Sequence, residues 1–461
     1  APRSGATTRA PAGQAASIRS ATGGEPPLTQ LRTPALRDPR LHWTVLLGLG
    51  IPGLLAYFYA FVVAPFTTVS GGRNDLDVYL RASLDIGAGR DPYADFAAVS
   101  RHVDPTLTGG YIYPPGLAWY LQPLATLPRP AAHALVAVLL QLLLLVSLAG
   151  ILRALGPVSG RLAALTGILT ISFFPLWQNL AYQQVNLLLL ALSSTWLLVW
   201  AAGGRTGRLS EGLGGMSAGA AVAVKLIQAP SLGLVLWRRR WSMVPGAAIG
   251  MGLLLLAGLP WLGEYLTRVL PRVGQGTGWV LNQAPSALTG RVLHPVSFYR
   301  TTPDTGPEVA ITAAVVAIAV IGLSIRVLGR RPTSRRDRCL EVAVVVAATP
   351  VFLPLSWDTH LVLLLLPMMV LAVDSARRLD VPGLVAAILA WAVIGPLHLA
   401  YLLMFGHLLQ GSDLTLALST GHPSPPVDLL LRVGAELGPL GIVVLWLACL
   451  RAYSASYAWS S

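Results

Sequence analysis

Long apolar segments recur along this chain, and they constrain its fold more than any other feature. Runs of about 20 residues, the length that a helix needs to cross the hydrocarbon core of a bilayer, follow one another from Leu41 to Leu450. Hydrophobic residues make up 54% of the 461 residues, and charged residues only 11%. Because backbone groups inside a bilayer must be hydrogen-bonded within the protein, such runs form helices. The sequence therefore predicts an all-α polytopic membrane protein, with about 10–12 transmembrane helices.

The net charge of +13 is explained by membrane topology. The arginines lie in short loops between apolar segments, where they orient helices instead of forming a surface for nucleic acid. The two cysteines, Cys339 and Cys449, show no metal-ligand spacing. We therefore expect no nucleic-acid partner, no metal site and no cofactor.

The arginine positions also predict the domain organisation and the orientation in the plasma membrane. Residues 1–40 are poor in large apolar residues and are expected to form a disordered cytoplasmic tail. Residues 41–450 are expected to form a single transmembrane domain, and residues 451–461 a second cytoplasmic tail. The loops at 67–112 and 263–307 are expected to lie outside, and residues 77–86 of the first loop to form an amphipathic helix on the membrane surface.

One segment requires a choice between a single span and a hairpin. About 29 residues separate Arg208 from Arg238, Arg239 and Arg240. A single span would place three consecutive arginines outside and invert every later loop, whereas a hairpin broken near Lys225 keeps them inside. The sequence therefore favours the hairpin.

With this topology, the polar residues that do not orient helices fall at the external face. Polar groups beside a bilayer are unfavourable unless they share a wet cavity or a function, so their convergence predicts an external site. The lone lysine of the chain, Lys225, needs an anionic partner or a water path to remain charged. The other residues of this set are Asp75, Gln184, Asn186, Asn282, Gln283 and His360.

Two neighbouring carboxylates open the first external helix. Asn74 and Asp77 have the spacing of a capping box, and an acid in the first turn is favoured by the helix dipole. For Asp75 the sequence supports a capping role and a chemical role about equally. Since two residues on a helix are separated by about 200°, Asp75 and Asp77 are not expected to face the same pocket. We expect Asp77 to be the cap.

Motifs of soluble enzymes are missing from the sequence, including a phosphate-binding glycine loop, a zinc-binding helix pair and a serine elbow. Pumping driven by ATP on this chain is excluded. An intramembrane enzyme with a lipid-borne substrate and a lipid or sugar transporter both remain. A transporter should show paired halves with broken helices in corresponding positions, whereas this chain shows one broken hairpin and no repeat.

A series of short motifs occurs in order along the chain: Asp75-Leu76-Asp77-Val78-Tyr79, Gly89-Arg90-Asp91-Pro92-Tyr93, Tyr113-Pro114-Pro115, Gln184-Val185-Asn186, Lys225, Asn282-Gln283 and Ser356-Trp357 with His360. This series resembles family 87 of the GT-C glycosyltransferases, which includes polyprenol-phosphate-mannose-dependent mannosyltransferases of actinobacterial envelope lipids. The resemblance covers about residues 70–375. Two departures are Gln183, where the family often has glycine, and Thr359, where it often has a second histidine.

The resemblance implies an enzyme with a GT-C-type helix bundle and an active site at the external face. It implies that a sugar, most simply mannose, moves with inversion from a polyprenyl-phosphate donor to a glycolipid or cell-envelope glycan. Arabinofuranose from a decaprenyl-phosphate donor is the alternative sugar. Asp75 is implied as the catalytic base. The implied donor-binding residues are His360, Lys225, Gln184, Asn186, Asn282, Tyr79 and Tyr113.

Overall fold

Helices dominate the structure, as the apolar runs predict. The computed structural model describes residues 48, 50–67, 74–94, 110–204, 207–299, 307–408 and 425–458, all of which belong to one compact unit. Extended pairing in these residues is limited to a single bridge between Asn282 and Trp357. The predicted all-α polytopic fold is confirmed.

The first half of the described chain combines short helices, bounded by Pro and Gly residues, with longer ones. Pro occupies one of the first two positions of many of them, where its missing N–H breaks no helical hydrogen bond. The helices are α1 (Ile51–Phe58), α2 (Asp75–Gly87), α3 (Pro115–Tyr120), α4 (Gln122–Ala125), α5 (Arg129–Leu155), α6 (Gly160–Ile171), α7 (Phe174–Ala181), α8 (Asn186–Ala202), α9 (Gly207–Val224) and α10 (Ala229–Trp237).

The second half also mixes long and short helices, and turns of another helix type lie between several of them. A 3-10 segment, Asp358–Leu364, precedes the helix Leu365–Arg378, and a π-helical turn, Val393–Leu397, joins the two helices on either side of it. The helices are α11 (Val244–Ala257), α12 (Leu259–Glu264), α13 (Leu270–Val273), α14 (Ala287–Leu293), α15 (Pro307–Leu328), α16 (Arg335–Phe352), α17 (Leu365–Arg378), α18 (Val381–Ala392), α19 (His398–Leu408), α20 (Pro425–Ala435) and α21 (Leu437–Ala458).

Five segments of the described residues are long and apolar enough to cross a membrane, or seven if two bent helix pairs each count as one span. The bent pairs are α6 with α7, at 56°, and the pair that meets at Gly258, at 90°. Three shorter apolar helices cover Ile51–Val63, Asn186–Ala202 and Leu226–Trp237. The five long segments are Arg129–Leu155, Pro307–Leu328, Asp358–Arg378, Val381–Leu408 and Val427–Ala455.

The arginine-rich loops gather at one end of the bundle, which we call the basic end. The Arg335 guanidinium donates to the carbonyl of Ala154 at the end of α5, at 2.7 Å. Arg338 donates to the carbonyl of Ala201 at the end of α8, at 2.9 Å. Arg336 forms an ion pair with Asp374 near the end of α17. The sorting of the basic loops to one side of the bundle is thereby confirmed.

The broken hairpin around Lys225 is also confirmed. Arg240, just after α10, forms an ion pair with Glu211 near the start of α9, so α10 returns to the end at which α9 begins. Lys225 itself has an extended backbone, with φ −157° and ψ 118°, between α9 and a 3-10 turn. The hairpin therefore carries Lys225 to the end of the bundle opposite the basic end.

Glycines let α9 and α11 pack with their backbones in contact. A Cβ added at Gly219 would lie 2.0 Å from the carbonyl oxygen of Ala247, and one added at Gly250 would lie 2.2 Å from that of Met216. Any larger residue would force the helices apart, at a typical cost of about 1–3 kcal/mol. The pair gives the hairpin a rigid support.

The apolar run over residues 243–262 forms two helices at a sharp angle instead of one straight span. Helix α11 ends at Ala257, and the chain turns by 90° at Gly258 into α12. Pro260 lacks the N–H that would continue the helix. Gly258 packs against Pro115 and Gly116, and a Cβ there would lie 2.5 Å from the Gly116 nitrogen. The bend therefore follows from the missing N–H of Pro260 together with the packing of Gly258 against the start of α3.

The remaining regional predictions lie partly outside the described residues. The expected tail at 1–40 falls outside them, as do residues 68–73 and 95–109 of the first expected loop and 300–306 of the second. Within the second loop, described residues form α12, α13 and α14. The last helix continues beyond Leu450 to Ala458, so most of the expected tail at 451–461 is helical.

Candidate active site

The first turn of α2 carries the two neighbouring carboxylates and sends them in different directions. Asn74 is the N-cap, and its side-chain oxygen accepts from the amide of Leu76 at 3.0 Å. Its amide donates to the carbonyl of Ala181, which ties α2 to the end of α7. Asp75 contacts Gln184, whereas Asp77 contacts α5. The expectation that the two acids face different surroundings is confirmed.

The capping role expected for Asp77 is not the role that its carboxylate takes. Arg129 binds both carboxylate oxygens, at 2.8 and 2.6 Å, and His133 Nε2 lies 3.2 Å from one of them. Burial alone would raise the pKa of Asp77, but hydrogen bonds from His133 and Arg129 and the charges of both outweigh it and hold the pKa well below its usual range. Asp77 is therefore an ion-pair partner of α5.

Asp75 has the electrostatic surroundings of a base. Its side chain keeps part of its surface exposed and accepts a hydrogen bond from the amide of Gln184. Loss of water on burial raises the pKa of Asp75 to about 6, although the Gln184 hydrogen bond and the charge of Lys225 oppose the rise. A carboxylate with such a pKa accepts a proton more readily than an ordinary aspartate does, yet remains ionised near neutral pH.

Two buried tyrosines join Gln184 in a small hydrogen-bonded group. Tyr79, one helical turn after Asp75, and Tyr113, from the segment before α3, have hydroxyls 3.0 Å apart. These hydroxyls lie 3.1 and 3.2 Å from Gln184 Oε1. Burial raises the pKa of both tyrosines well above the usual range, so the hydroxyls stay protonated. Gln184 is thus held at both ends of its amide, with its N–H directed to Asp75.

Lys225 lies on the other side of this group. Its ammonium is 3.4 Å from the Tyr113 hydroxyl, 3.0 Å from Asn186 Oδ1 and 2.7 Å from His360 Nε2. It also lies over the Tyr113 ring, 4.8 Å from the centroid. An ammonium has three N–H donors, and these three neighbours match that number. Lys225 is therefore fixed in position by three hydrogen-bond partners, and its charge acts on Asp75 across the cluster.

His360 accepts from Lys225 and is held by its own 3-10 turn. Because the ammonium donates to Nε2, the imidazole carries its proton on Nδ1, which has no hydrogen-bond partner among the described residues. The turn is positioned by Asn179 and Asn186, whose side-chain amides donate to the Thr359 carbonyl at 2.7 and 3.2 Å. Asn186 thereby links Lys225 to the turn that carries His360.

Asn282 serves a different purpose from the other predicted site residues. Its side chain is fully buried and donates to the carbonyls of Thr277 and Pro354, at 2.7 and 3.0 Å. Its oxygen accepts from the amides of Ser356 and Ala284, at 2.8 and 3.2 Å. All of these contacts are to backbone, so Asn282 braces the loop before the His360 turn.

The structure adds polar residues that the sequence argument did not select. Gln178 donates to Asp358 at 2.7 Å, and the buried His398 ring has a nitrogen 3.8 Å from the same carboxylate. Gln183 bonds His133, which bonds Asp77. The one sequence signal for this second set was Gln183, at a position where the resembled family often has glycine. No group of three or more His, Cys, Asp or Glu suited to a metal is found in the described part of the chain.

Comparisons with known proteins give the class of this molecule and then its family. A sequence model of glycosyltransferase family 87 matches residues 111–356, more than half of the chain. Together with the helical membrane fold, this match makes the protein a membrane glycosyltransferase. The chain belongs to glycosyltransferase family 87, as its motifs predicted. The matched region begins after Asp75 and ends before His360, so the roles of these two residues depend on the geometry described above.

A curated relative extends the comparison to most of the chain. A polyprenol-phosphate-mannose-dependent alpha-(1-2)-phosphatidylinositol pentamannoside mannosyltransferase from Mycobacterium tuberculosis (strain CDC 1551 / Oshkosh) is 28% identical over 386 residues. The alignment covers 78% of this chain and 78% of the relative. No solved structure matches the chain.

Proposed function

We propose that this protein transfers mannose from a polyprenyl-phosphate donor to a hydroxyl of a glycolipid or cell-envelope glycan. The name of the mycobacterial relative supports both the donor class and a lipid-anchored acceptor. Mannose is favoured over arabinofuranose for the same reason. The positions of the basic loops support an active site on the external face of the plasma membrane, because Lys225 lies opposite the basic end and arginine-rich loops remain in the cytoplasm.

One observation carries the proposal, namely the pairing of a carboxylate base with a cationic group across shared hydrogen bonds. Asp75 binds the N–H of Gln184, and the Gln184 oxygen contacts the Tyr113 hydroxyl. That hydroxyl contacts Lys225, which binds His360. Glycosyl transfer from a phosphate requires these two elements, a proton acceptor on one side of the anomeric carbon and a cation for the leaving phosphate on the other.

The proposed step is a direct displacement with inversion. Asp75 removes the proton of the acceptor hydroxyl as its oxygen forms a bond to the anomeric carbon. The bond from that carbon to the phosphate oxygen breaks, and the polyprenyl phosphate leaves with the electron pair. A phosphate leaves without being protonated, so a single carboxylate suffices. Lys225 stabilises the developing phosphate charge, with His360 and Asn186 holding the ammonium in place.

A reconstituted assay tests this function directly. Purified protein in liposomes is incubated with radiolabelled polyprenyl-phosphate mannose and a membrane extract containing acceptor lipids. We expect label in a new glycolipid and none from a nucleotide-linked mannose in the absence of polyprenyl phosphate. Transfer from polyprenyl-phosphate arabinofuranose but not mannose would overturn the choice of sugar. Movement of the donor across the bilayer without a new glycosidic bond would overturn the proposed reaction.

The acid side of the pH profile is expected to report Asp75. A base with a raised pKa is protonated, and inactive, below that pKa. The value of kcat/KM should therefore rise with pH through about 6, with a slope of about tenfold per pH unit on the acid side. Initial rates measured between pH 4.5 and 8 at low donor concentration check this expectation. A flat profile through pH 6 would remove Asp75 from the role of base.

A further inference from the structure

Gln183 adopts a backbone conformation that few residues other than glycine take readily. Its φ is +51°, in the left-handed region, and its side chain is buried. The side chain makes two hydrogen bonds to one residue of α5. Its Oε1 lies 2.5 Å from His133 Nδ1, and its Nε2 donates to the His133 carbonyl at 2.8 Å. The amide thus offsets the unfavourable backbone by fixing the turn between α7 and α8 to α5.

His133 continues the connection back to α2. One of its ring nitrogens faces the Gln183 oxygen, and the other lies 3.2 Å from the Asp77 carboxylate. Both neighbours are oxygen acceptors, so the ring links the Gln183 amide to the Asp77 carboxylate. Arg129 closes the outer side by binding both Asp77 oxygens. We call Gln183, His133, Asp77 and Arg129 the α5 brace.

The α5 brace and Asp75 are connected at two places, each time through residues that are close together in the sequence. Gln183 and Gln184 are neighbours in one turn, and the first bonds His133 while the second bonds Asp75. Asp77 and Asp75 are two residues apart in the first turn of α2. A closed circuit therefore runs from Asp75 through Gln184, Gln183 and His133 to Asp77 and back along α2. Hydrogen bonds alternate in it with connections along the chain. In such a circuit neither the turn nor the helix can shift without breaking a contact on the far side.

We propose that the α5 brace positions Gln184 and, through it, the Asp75 carboxylate for proton removal. The inference rests on the proposed function and adds to it. The brace touches no reacting atom in this arrangement, so its residues are positioning residues. Because a displacement of about 1 Å in a reacting group lowers rates by up to about a hundredfold, a brace of this kind affects turnover more than binding.

Gln183→Gly tests the proposal without introducing backbone strain, because glycine accepts a φ of +51° freely. We expect kcat to fall by about tenfold, while the KM for the donor stays within about twofold. Leu379→Gly is the matched control. Leu379 also has a positive φ, +57°, but lies at the end of α17, near the basic end. It should leave kcat unchanged, and thermal midpoints in detergent will show whether both variants are folded.

A double-mutant cycle separates positioning from general stability. Gln183→Gly and His133→Ala remove the same connection, so the double variant should be no slower than the slower single variant. If His133→Ala fails to fold, Arg129→Gln replaces it as the test. This variant changes the exposed end of the brace, and we expect a smaller decrease in kcat. Wild-type kcat in Gln183→Gly, or effects that multiply in the double variant, would overturn the brace. A lower thermal midpoint with unchanged kcat would leave these residues a structural role only.

The same experiments distinguish the brace from the proposed function. If Asp75→Asn is inactive and Gln183→Gly is fully active, the brace alone is wrong. If Asp75→Asn transfers mannose at the wild-type rate, the proposed base is wrong and the brace has nothing to position.

Discussion

Replacing Asp75 by asparagine should reduce mannosyl transfer by about a thousandfold or more, the upper part of the range for a lost general base. The change keeps the shape of the side chain and its oxygen, which still accepts from Gln184. It removes only the ability to take a proton. The donor should still bind, because Lys225, the proposed ligand of its phosphate, keeps its contacts with Asn186 and His360 in this variant. Transfer is measured with radiolabelled donor, and donor binding by equilibrium methods on the same preparation.

Two other acids of α2 serve as controls of graded severity. Asp85 pairs with the exposed Arg90 on the surface, so Asp85→Asn should turn over at the wild-type rate. Asp77→Asn weakens the ion pair with Arg129 and His133 but keeps an oxygen acceptor, so we expect a loss of at most about tenfold. Equal losses in Asp75→Asn and Asp77→Asn, or substantial turnover in Asp75→Asn, would contradict the assignment of the base.

Periodicity and topology predicted the gross arrangement because they depend on local rules. The angle of about 200° between residues two apart on a helix sufficed to predict that Asp75 and Asp77 face different elements. The requirement that arginine loops share one side predicted the hairpin, and the ion pair of Arg240 with Glu211 confirms it. Neither argument needs knowledge of which helices are neighbours.

The sequence did not predict which partners the polar residues would find. A capping pattern suggested a local role for Asp77, but its partners Arg129 and His133 come from α5, 52 and 56 residues away. Such charge-assisted hydrogen bonds are roughly twice as strong as neutral ones, and they prevailed over the local pattern. Asn282 looked like a ligand-binding amide, yet the backbone of neighbouring loops uses its donors and acceptor. Amides serve either purpose, and only tertiary contacts decide between them.

The sequence marked Gln183 as an unusual residue but did not predict the contacts that stabilise it. The position was recognisable as unusual, since glycine is often found there in the resembled family. The structure supplies the reason in the form of a left-handed backbone stabilised by two hydrogen bonds to His133. The compensating histidine lies 50 residues away in sequence, so the pattern alone held no sign of it.

Replacing Lys225 by methionine should lower kcat/KM for the donor by about a hundredfold or more, as expected for loss of a preorganised charge beside a developing anion. Methionine has similar length and no charge, so packing against the Tyr113 ring is retained. The free enzyme holds an ammonium among Tyr113, Asn186 and His360, and among these neighbours there is no anion. The charge of Asp75 acts on Lys225 from beyond these three neighbours, and a donor phosphate would place a second anion in contact with the ammonium.

Arginine should not restore the activity at this position. The ammonium of Lys225 reaches three neighbours from one atom, whereas the guanidinium of arginine is a planar fork with its donors spread over three nitrogens. We therefore expect Lys225→Arg to remain within about tenfold of Lys225→Met. His360→Ala should be less severe than either variant, because it leaves the ammonium in place with two of its three partners.

Donor and acceptor kinetics together decide whether Lys225 acts on the phosphate. Varying the donor at saturating acceptor should show the loss in Lys225→Met, and varying the acceptor at saturating donor should leave the acceptor KM near the wild-type value. Inhibition by the product polyprenyl phosphate should weaken in parallel, since the proposed mechanism assigns the product phosphate to the same cation. If Lys225→Met lowered only the thermal midpoint, or changed the acceptor KM while product inhibition stayed intact, the lysine would not be the phosphate-binding cation. In that case Asp75 would lack the charge partner on which the proposed mechanism depends.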